Sequence, residues 1–344
     1  MSKWIDLSLL LSKQRNFILI NGERSIGKTY TTMKWVFNRC MKDYTEFVYI
    51  TRTQDEKNHG ALEKGFKKVL LNEYPSVDTD CSNEYMWRLE PETNTKTLVG
   101  YCIALSEAVK IKKNAYPKVK YIIFDEYMLE MKQGKGTQYY NGWDEPNSLL
   151  SIYHTIDREE DRVIVFMLGN NTSFYNPYHM HPAFNIPHVE KGKMWMSENV
   201  LFYWATASEE LQEQKAQSKF LRMLNGSSYG KYAKDGDYID DNYAMVQELT
   251  TTARYIMTFE YANEKFGVYS DLKNGLAFIS DKADASCKTI FALTVDDHNE
   301  NTMIAHTREF SQLNWLARNF KIGNVRFVSM EVKMKIEKGL VKIL

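Results

Sequence analysis

The chain has 344 residues, which is long enough for two domains because single hydrophobic cores usually stop growing below about 250–300 residues. It carries 44 basic and 44 acidic residues, so it lacks the overall positive field of a free-standing, non-specific nucleic-acid binder, and a polyanionic partner must be met by a local patch. Its four cysteines show no paired spacing, which favours a reducing cytoplasm, and no apolar run is long enough to span a bilayer, so we expect no membrane partner.

Short apolar runs alternate with helical patterns through the first half of the chain, which is typical of strands and helices around a mostly parallel sheet. The apolar runs predict strands at 17–21, 47–52, 121–128 and 162–171. Apolar residues at helical spacing predict helices at 28–42, 60–73 and 148–158. We therefore predict an α/β fold for this half.

The second half begins with a helical segment and continues as a strand-rich pattern. A capping box at Thr206–Glu209 opens the helix, which closes on Asn225–Gly226 and is interpreted as a linker. The stretch "KFGVYSDLKNGLAFIS" predicts two strands joined by a hairpin turn, and "KTIFALTV" predicts a third. A helix at 309–320 and the strand "VRFVSM" complete a smaller α+β domain.

The stretch "GERSIGKT" (22–29) matches the pattern G-x-x-x-x-G-K-[ST] and stands between a predicted strand and a predicted helix. Gly22 and Gly27 allow a turn whose backbone N–H groups point at a phosphate, Lys28 reaches the terminal phosphates, and Thr29 ligates Mg²⁺. We therefore predict ATP and Mg²⁺ as cofactors.

The strand "YIIFDEYM" ends in two adjacent carboxylates, Asp125 and Glu126. In phosphate-loop ATPases an Asp at this place holds the magnesium shell, and a neighbouring Glu polarises the attacking water. The pair favours hydrolysis over phosphate transfer to a bound acceptor.

Four further polar residues are candidate contacts of the nucleotide. Arg24 and Ser25 lie inside the phosphate loop, and Arg52 ends the second strand near the sheet edge where ligands bind. Asn170, at the end of "VIVFMLGNN", could sense the terminal phosphate. Surface positions for the arginines and a turn for the asparagine are the open alternatives.

Two segments are candidate DNA contacts. The loop "QGKGTQYYNGW" (133–143) combines lysines, glycines and aromatics, although a surface loop is the alternative. From 308 to 344, eight basic residues stand against three acidic ones. Aspartates of the second half, among them Asp271 and Asp281, invite a two-metal nuclease hypothesis, but most of them border turns, where Asp is favoured for backbone hydrogen bonding.

Several segments resemble, in order, the DNA-packaging ATPases of small, short-tailed bacteriophages. They are "ILINGERSIGKTY", the arginine that ends the second strand, "IIFDEY", the arginine before "LGNN", "NPY" (176–178) and "NGSSYGKYA" (225–233). The resemblance implies a P-loop ATPase domain of the additional-strand, catalytic-glutamate type (1–197), a helical linker (198–228) and an RNase H-like domain with a vestigial nuclease (229–344).

The same resemblance implies a function and a set of roles. Members of the family form pentameric rings at the portal, or connector, of an empty procapsid in the host cytoplasm and translocate double-stranded DNA, with a scaffold RNA as a further candidate partner. Lys28 and Thr29 would bind phosphate and magnesium, Asp125 would coordinate the metal, Glu126 would be the catalytic carboxylate, and Arg158 would act across the subunit interface. An arginine that only satisfies the dipole at a helix C-terminus is the open alternative for Arg158. A terminase-type protein with an active C-terminal nuclease is the alternative.

Overall fold

The computed structural model describes residues 4–90, 92–93, 95–129, 145–224, 245–306 and 309–343. The predicted loop 133–143 and the segment 225–233 lie outside these residues. The chain divides into two compact units, Met1–Asp240 and Asp241–Leu344. Within the described residues, no helix combines the length and the apolar character that crossing a membrane requires.

The first unit is built on a mixed sheet. Its described strands are β1 (Phe17–Gly22), β2 (Glu46–Thr51), β3 (Thr79–Cys81), β4 (Tyr85–Glu90), β5 (Thr95–Ala104), β6 (Val119–Asp125), β7 (Ile164–Asn170), β8 (Met194–Met196) and β9 (Val200–Ala205). They lie in the order β3-β4-β5-β2-β6-β7-β1-β9-β8. The neighbours from β5 to β9 in this order pair in parallel, while β3, β4 and β8 add antiparallel edges.

Both faces of this sheet are covered, which explains why its central strands are continuous apolar runs. Successive side chains of β1 point to opposite faces: Leu19 belongs to one core cluster, and Ile18 and Ile20 belong to the other. The described helices are α1 (Leu7–Leu11), α2 (Lys28–Asp43), α3 (Gln54–Asn58), α4 (Ala61–Glu73), α5 (Glu145–Asp157), α6 (Pro177–Met180), α7 (Glu209–Gln217) and α8 (Lys219–Met223). The predicted α/β fold is confirmed.

The segment predicted as a helical linker differs in its details. Val200–Ala205 forms strand β9, which pairs with β1 along its whole length. The helix that follows is capped by Ser208 rather than by Thr206, and it is interrupted at Ser218, which caps α8 in turn. The domain boundaries at 197 and 228 remain proposals.

The second unit contains a six-stranded sheet within its described residues, in the order β14-β13-β10-β11-β12-β15. The strands are β10 (Arg254–Tyr261), β11 (Glu264–Asp271), β12 (Leu276–Ser280), β13 (Ile290–Ala292), β14 (Met303–Ile304) and β15 (Val325–Phe327), with helices α9 (Ser311–Lys321) and α10 (Met330–Ile343). The predicted hairpin is confirmed, since β11 and β12 pair antiparallel up to Asp271 and Leu276. Strand β10 and helix α10 were not predicted.

Candidate active site

The carboxyl ends of β1, β6 and β7 meet at one edge of the first sheet and carry most of the predicted site. Strand β1 runs into the phosphate loop, β6 ends at Asp125, and β7 ends at Asn170. The register of β1 with β7 places Gly22 opposite Asn170, and the register of β6 with β7 places Asp125 opposite Leu168. The sheet therefore brings together three segments that are far apart in sequence.

The phosphate loop needs its glycines for two different reasons. A Cβ on Gly22 would lie 2.7 Å from the carbonyl oxygen of Ala205, so this position requires close approach of two backbones. Gly27 has φ +84°, in the left-handed region, and caps the start of α2. Ser25 also has positive φ, at 70°, which is uncommon for a residue with a side chain.

Lys28 is buried and holds the loop from inside. Its ammonium donates to the carbonyl oxygens of Gly22 (2.8 Å) and Glu23 (2.9 Å) and to Asn170 Oδ1 (3.3 Å). Burial lowers its pKa to about 8, although the neighbouring Asp125 acts in the opposite direction. The cation is thus aimed at the concave side of the loop and lies next to the candidate phosphate sensor.

Thr29 and Asp125 form a compact oxygen pair. The Thr29 hydroxyl donates to Asp125 Oδ1 over 3.0 Å, and the backbone N–H of Glu126 donates to the same oxygen over 3.1 Å. Burial raises the pKa of Asp125 to about 6. A hydroxyl and a carboxylate are hard oxygen ligands of the kind that Mg²⁺ prefers, so this pair fits the predicted metal.

Glu126 is exposed at the site and has an unusual backbone. Its φ of 54° lies in the left-handed region, where a non-glycine residue costs on the order of 1 kcal/mol and is often found at functional sites. The Arg52 guanidinium donates to the carbonyl oxygens of Glu126 (3.4 Å) and Tyr127 (2.8 Å). Arg52 therefore fixes the backbone that carries the candidate catalytic carboxylate.

Arg52 is held by a partner that the sequence did not reveal. Its Nε lies 3.1 Å from Glu145 Oε2, and both side chains are almost completely buried. Glu145 also accepts a hydrogen bond from the Tyr178 hydroxyl over 3.1 Å. The role of Arg52 as a direct phosphate contact remains a proposal, while the structure shows it in contact with Glu145 and with the segment that follows Asp125.

Two cavities cover this edge of the sheet. The larger one, of about 660 Å³, is lined by the phosphate loop and by Arg24, Lys28, Asp125, Glu126 and Asn170. A second cavity, of about 300 Å³, shares four of these residues and reaches Arg52. Arg24 is exposed, and its side chain is in position to face a ligand in either cavity.

Arg158 lies away from these cavities. Helix α5 starts at Glu145, beside Arg52, and its 13 residues span about 20 Å. Arg158 follows the far end, where its guanidinium donates to the carbonyl oxygen of Asn114 over 3.4 Å. An open cavity of about 390 Å³ there is lined by Lys112, His154 and Arg158, among others. The structure thus places Arg158 at the opposite edge of the sheet from its own phosphate loop.

A buried polar network beneath the site was also missed. The Tyr127 hydroxyl donates to Asn21 Oδ1 (2.6 Å) and lies 2.7 Å from His179 Nε2. Burial lowers the pKa of His179 to about 3, so the ring is neutral at physiological pH. Asn21 directly precedes Gly22, so the network ties the strand that enters the phosphate loop to the segment after Glu126. The neighbouring "NPY" was noted in the sequence only as a mark of resemblance.

Glu23 connects the phosphate loop to the helical segment after β9. It is buried, accepts the backbone N–H of Ala207 (2.9 Å) and is paired with Lys215 of α7. Its position inside the loop pattern, where any residue is allowed, gave no sign of this role.

In the second unit, Asp271 stabilises a turn. Its carboxylate accepts the backbone N–H groups of Lys273 (3.1 Å) and Asn274 (3.2 Å) and the Thr250 hydroxyl (2.5 Å), and these hydrogen bonds hold its pKa well below the usual value. This agrees with the turn interpretation of these aspartates. No group of three or more His, Cys, Asp or Glu side chains suited to a metal ion occurs in the part of the chain that the structure describes.

The chain is similar to known packaging proteins over nearly all of its length. A profile of the family described as Podovirus DNA encapsidation protein (Gp16) matches residues 2–343. The DNA packaging proteins of Bacillus phages PZA and phi29 are each 28% identical over 326 residues, covering 94% of this chain and 93% of theirs. A chain of the bacteriophage phi29 genome packaging motor assembly is 26% identical and superposes with a TM-score of 0.76 over 100% of both chains.

Proposed function

Since the chain belongs to the Podovirus DNA encapsidation protein (Gp16) family, we propose that it is an ATP-hydrolysing motor that translocates double-stranded viral DNA into an empty procapsid. The observation that supports this most directly is the convergence of Lys28, Thr29, Asp125 and Glu126 at one cavity at the end of the parallel strands. The relatives are DNA packaging proteins, so DNA is the polymer that ATP hydrolysis would move.

In this mechanism each side chain has one task. The loop N–H groups and Lys28 neutralise the charge that develops on the phosphates. Thr29 and Asp125 would hold Mg²⁺, which when bound supplies further charge neutralisation on the phosphate oxygens. Glu126 orients and deprotonates the attacking water, and Asn170, in contact with the Lys28 ammonium, reports the terminal phosphate to β7.

Arg158 is proposed to act in a neighbouring subunit. It lies about one helix length from its own site and is exposed, so it is available to the cavity of the next copy in a ring. An arginine delivered in this way stabilises transition-state charge and couples hydrolysis to subunit contact. The proposed assembly is a homo-oligomeric, pentameric ring at the portal in the host cytoplasm, with a scaffold RNA as a candidate partner.

Two variants test the active site. Lys28→Ala should abolish both nucleotide binding and hydrolysis, whereas Glu126→Gln should keep binding and lose about 10²–10⁴-fold in turnover. Parental hydrolysis by either variant would show that the assignment is wrong. DNA and empty capsids supplied together should raise the parental ATP turnover, because a packaging motor is engaged only by both.

Subunit mixing tests Arg158. A Lys28→Ala subunit retains its arginine, and an Arg158→Ala subunit retains its own phosphate site, so a mixed ring contains competent interfaces. We expect the mixture to hydrolyse ATP faster than either variant alone. Mixtures that follow simple dilution of two inactive proteins would contradict an arginine supplied across the interface.

A further inference from the structure

The larger cavity extends beyond the phosphate loop, along the first turns of α2 toward α4. Besides the loop residues it is lined by Trp4, Tyr30, Lys68, Asn72 and Glu73. Its volume of about 660 Å³ is in the range of pockets that enclose a whole small ligand. A bound triphosphate would occupy only the end at Lys28, so the remaining space faces whatever is attached to the phosphates.

Trp4 lies directly against the loop. A Cβ built on Gly27 would be 2.4 Å from Trp4 Cε3 and 2.9 Å from Trp4 Cδ2, so the indole packs on the Cα of Gly27. The Trp4 side chain is nevertheless 41% exposed and borders the cavity. A large aromatic surface is thus fixed beside the phosphate-binding backbone and remains accessible.

The other side of this region is polar and ordered. The Tyr30 hydroxyl donates to Glu73 Oε1 (2.6 Å), and Lys34 Nζ lies 2.6 Å from Glu73 Oε2. These contacts fix the Glu73 carboxylate, which only accepts hydrogen bonds when it is ionised. Hydrogen bonds from Lys34 and Tyr30 lower the pKa of Glu73.

We propose that this region is a nucleobase subsite, in which the base of the nucleoside triphosphate stacks on Trp4 and its polar edge meets Glu73. The inference rests on the proposed function, because the phosphates must first be held by Lys28 and the loop. An ionised carboxylate only accepts hydrogen bonds, so Glu73 fits the exocyclic amine that adenine carries.

The test measures equilibrium binding of two probes in the presence of Mg²⁺: a non-hydrolysable analogue of ATP, and inorganic tripolyphosphate, which has no base. Stacking of one base on an aromatic ring corresponds to roughly 5- to 150-fold in affinity. Trp4→Ala should weaken binding of the ATP analogue within this range and leave tripolyphosphate binding within about twofold, and Trp4→Phe should restore most of the loss. Phe220→Ala, which removes an exposed aromatic ring outside the cavity, is the matched control and should change neither.

Each outcome decides between the explanations. If Trp4→Ala weakens binding of the ATP analogue and of tripolyphosphate equally, the indole only supports the loop. If the affinity for both probes is unchanged, Trp4 is not part of the site. Either result overturns the inference. Glu73→Gln should weaken binding of the ATP analogue and leave tripolyphosphate binding within about twofold, and an unchanged affinity for the ATP analogue would overturn the role of Glu73. Parental protein that binds neither the ATP analogue nor tripolyphosphate would refute the proposed function itself.

Discussion

The ion pair between Arg52 and Glu145 gives the sharpest prediction about how the site is held. The two side chains are 8% and 1% exposed, so both charges are removed from water. Glu145→Gln keeps the shape of the side chain and removes its charge, which leaves the Arg52 guanidinium buried without its counter-charge. Breaking a buried pair from one side costs about 3–5 kcal/mol, which for a unit of this size corresponds to roughly 6–20 °C in Tm.

The matched control is an ion pair on the surface. Arg39 and Asp43 are 3.8 Å apart and 44% and 43% exposed, so Asp43→Asn should change the free energy of unfolding by less than about 1 kcal/mol. Urea and thermal unfolding of both variants would measure the difference. A Glu145→Gln protein as stable as the control would refute the reasoning, since it would mean that the pair is not desolvated.

Function provides a second readout of the same pair. Arg52→Lys keeps a positive charge for Glu145, but an ammonium cannot reproduce the planar fork that also reaches the carbonyl oxygens of Glu126 and Tyr127. We expect ATP turnover to fall more than nucleotide affinity. Equal losses in both would indicate that Arg52 contacts the phosphates directly, as its position at the sheet edge first suggested.

Three further substitutions test other parts of the structure. Burial raises the pKa of Asp125 from its usual value of 3.8 to about 6, so its ionisation destabilises the fold as pH rises through this window. Asp125→Asn should therefore gain about 1–3 kcal/mol over the parent in nucleotide-free protein at pH 7.5 and less at pH 4.5, measured by urea unfolding. Gly169→Ala should lower Tm by overpacking, since its Cβ would lie 2.8 Å from Tyr127 Cε1. Gly65→Ala within α4 should not, because its Cβ would come no closer than 3.2 Å, to the flexible end of Met33. Asp271→Ala should lower the stability of the second unit and leave plasmid DNA cleavage in Mn²⁺ the same as in the parent. A cleavage activity that the parent shows and this variant loses would instead favour the nuclease alternative.

The parts of the candidate site that the sequence predicted and that the structure brings together have local causes. A phosphate loop is specified by glycines and one lysine within eight residues, and the apolar run of "YIIFDEYM" places two carboxylates at the end of a strand. The partner of Arg52 has no such local mark, because Glu145 is 93 residues away and becomes its neighbour only when β2 and α5 pack. Sequence reasoning therefore found the loop and strand-end residues that line the cavity. It missed the residues that hold them in place.

The elements that were missed have two different physical explanations. Strands β3 and β4 lie at the sheet edge and have mostly exposed and half-buried positions, so they lack the continuous apolar runs that identified the central strands. Strand β5 does end in an apolar run, "LVGYCIA" (98–104), and that signal was overlooked. Helix α10 did carry a signal: Val332, Ile336 and Leu340 are four residues apart and buried. The basic residues between them drew attention to a candidate DNA-binding charge, and the helical period was overlooked.

The opposite pKa shifts of Lys28 and Asp125 indicate how the site favours its ligand. Burial makes the charged form of each residue less favourable, so the pKa of the lysine falls to about 8 and the pKa of the aspartate rises to about 6. Under the proposed function, a phosphate would favour the protonated lysine and Mg²⁺ would favour the ionised aspartate, so a metal–nucleotide complex would relieve both penalties together. Because the desolvation is already present in the folded chain, the charges need no further reorganisation during hydrolysis, which is the condition under which fixed charges stabilise a transition state most effectively.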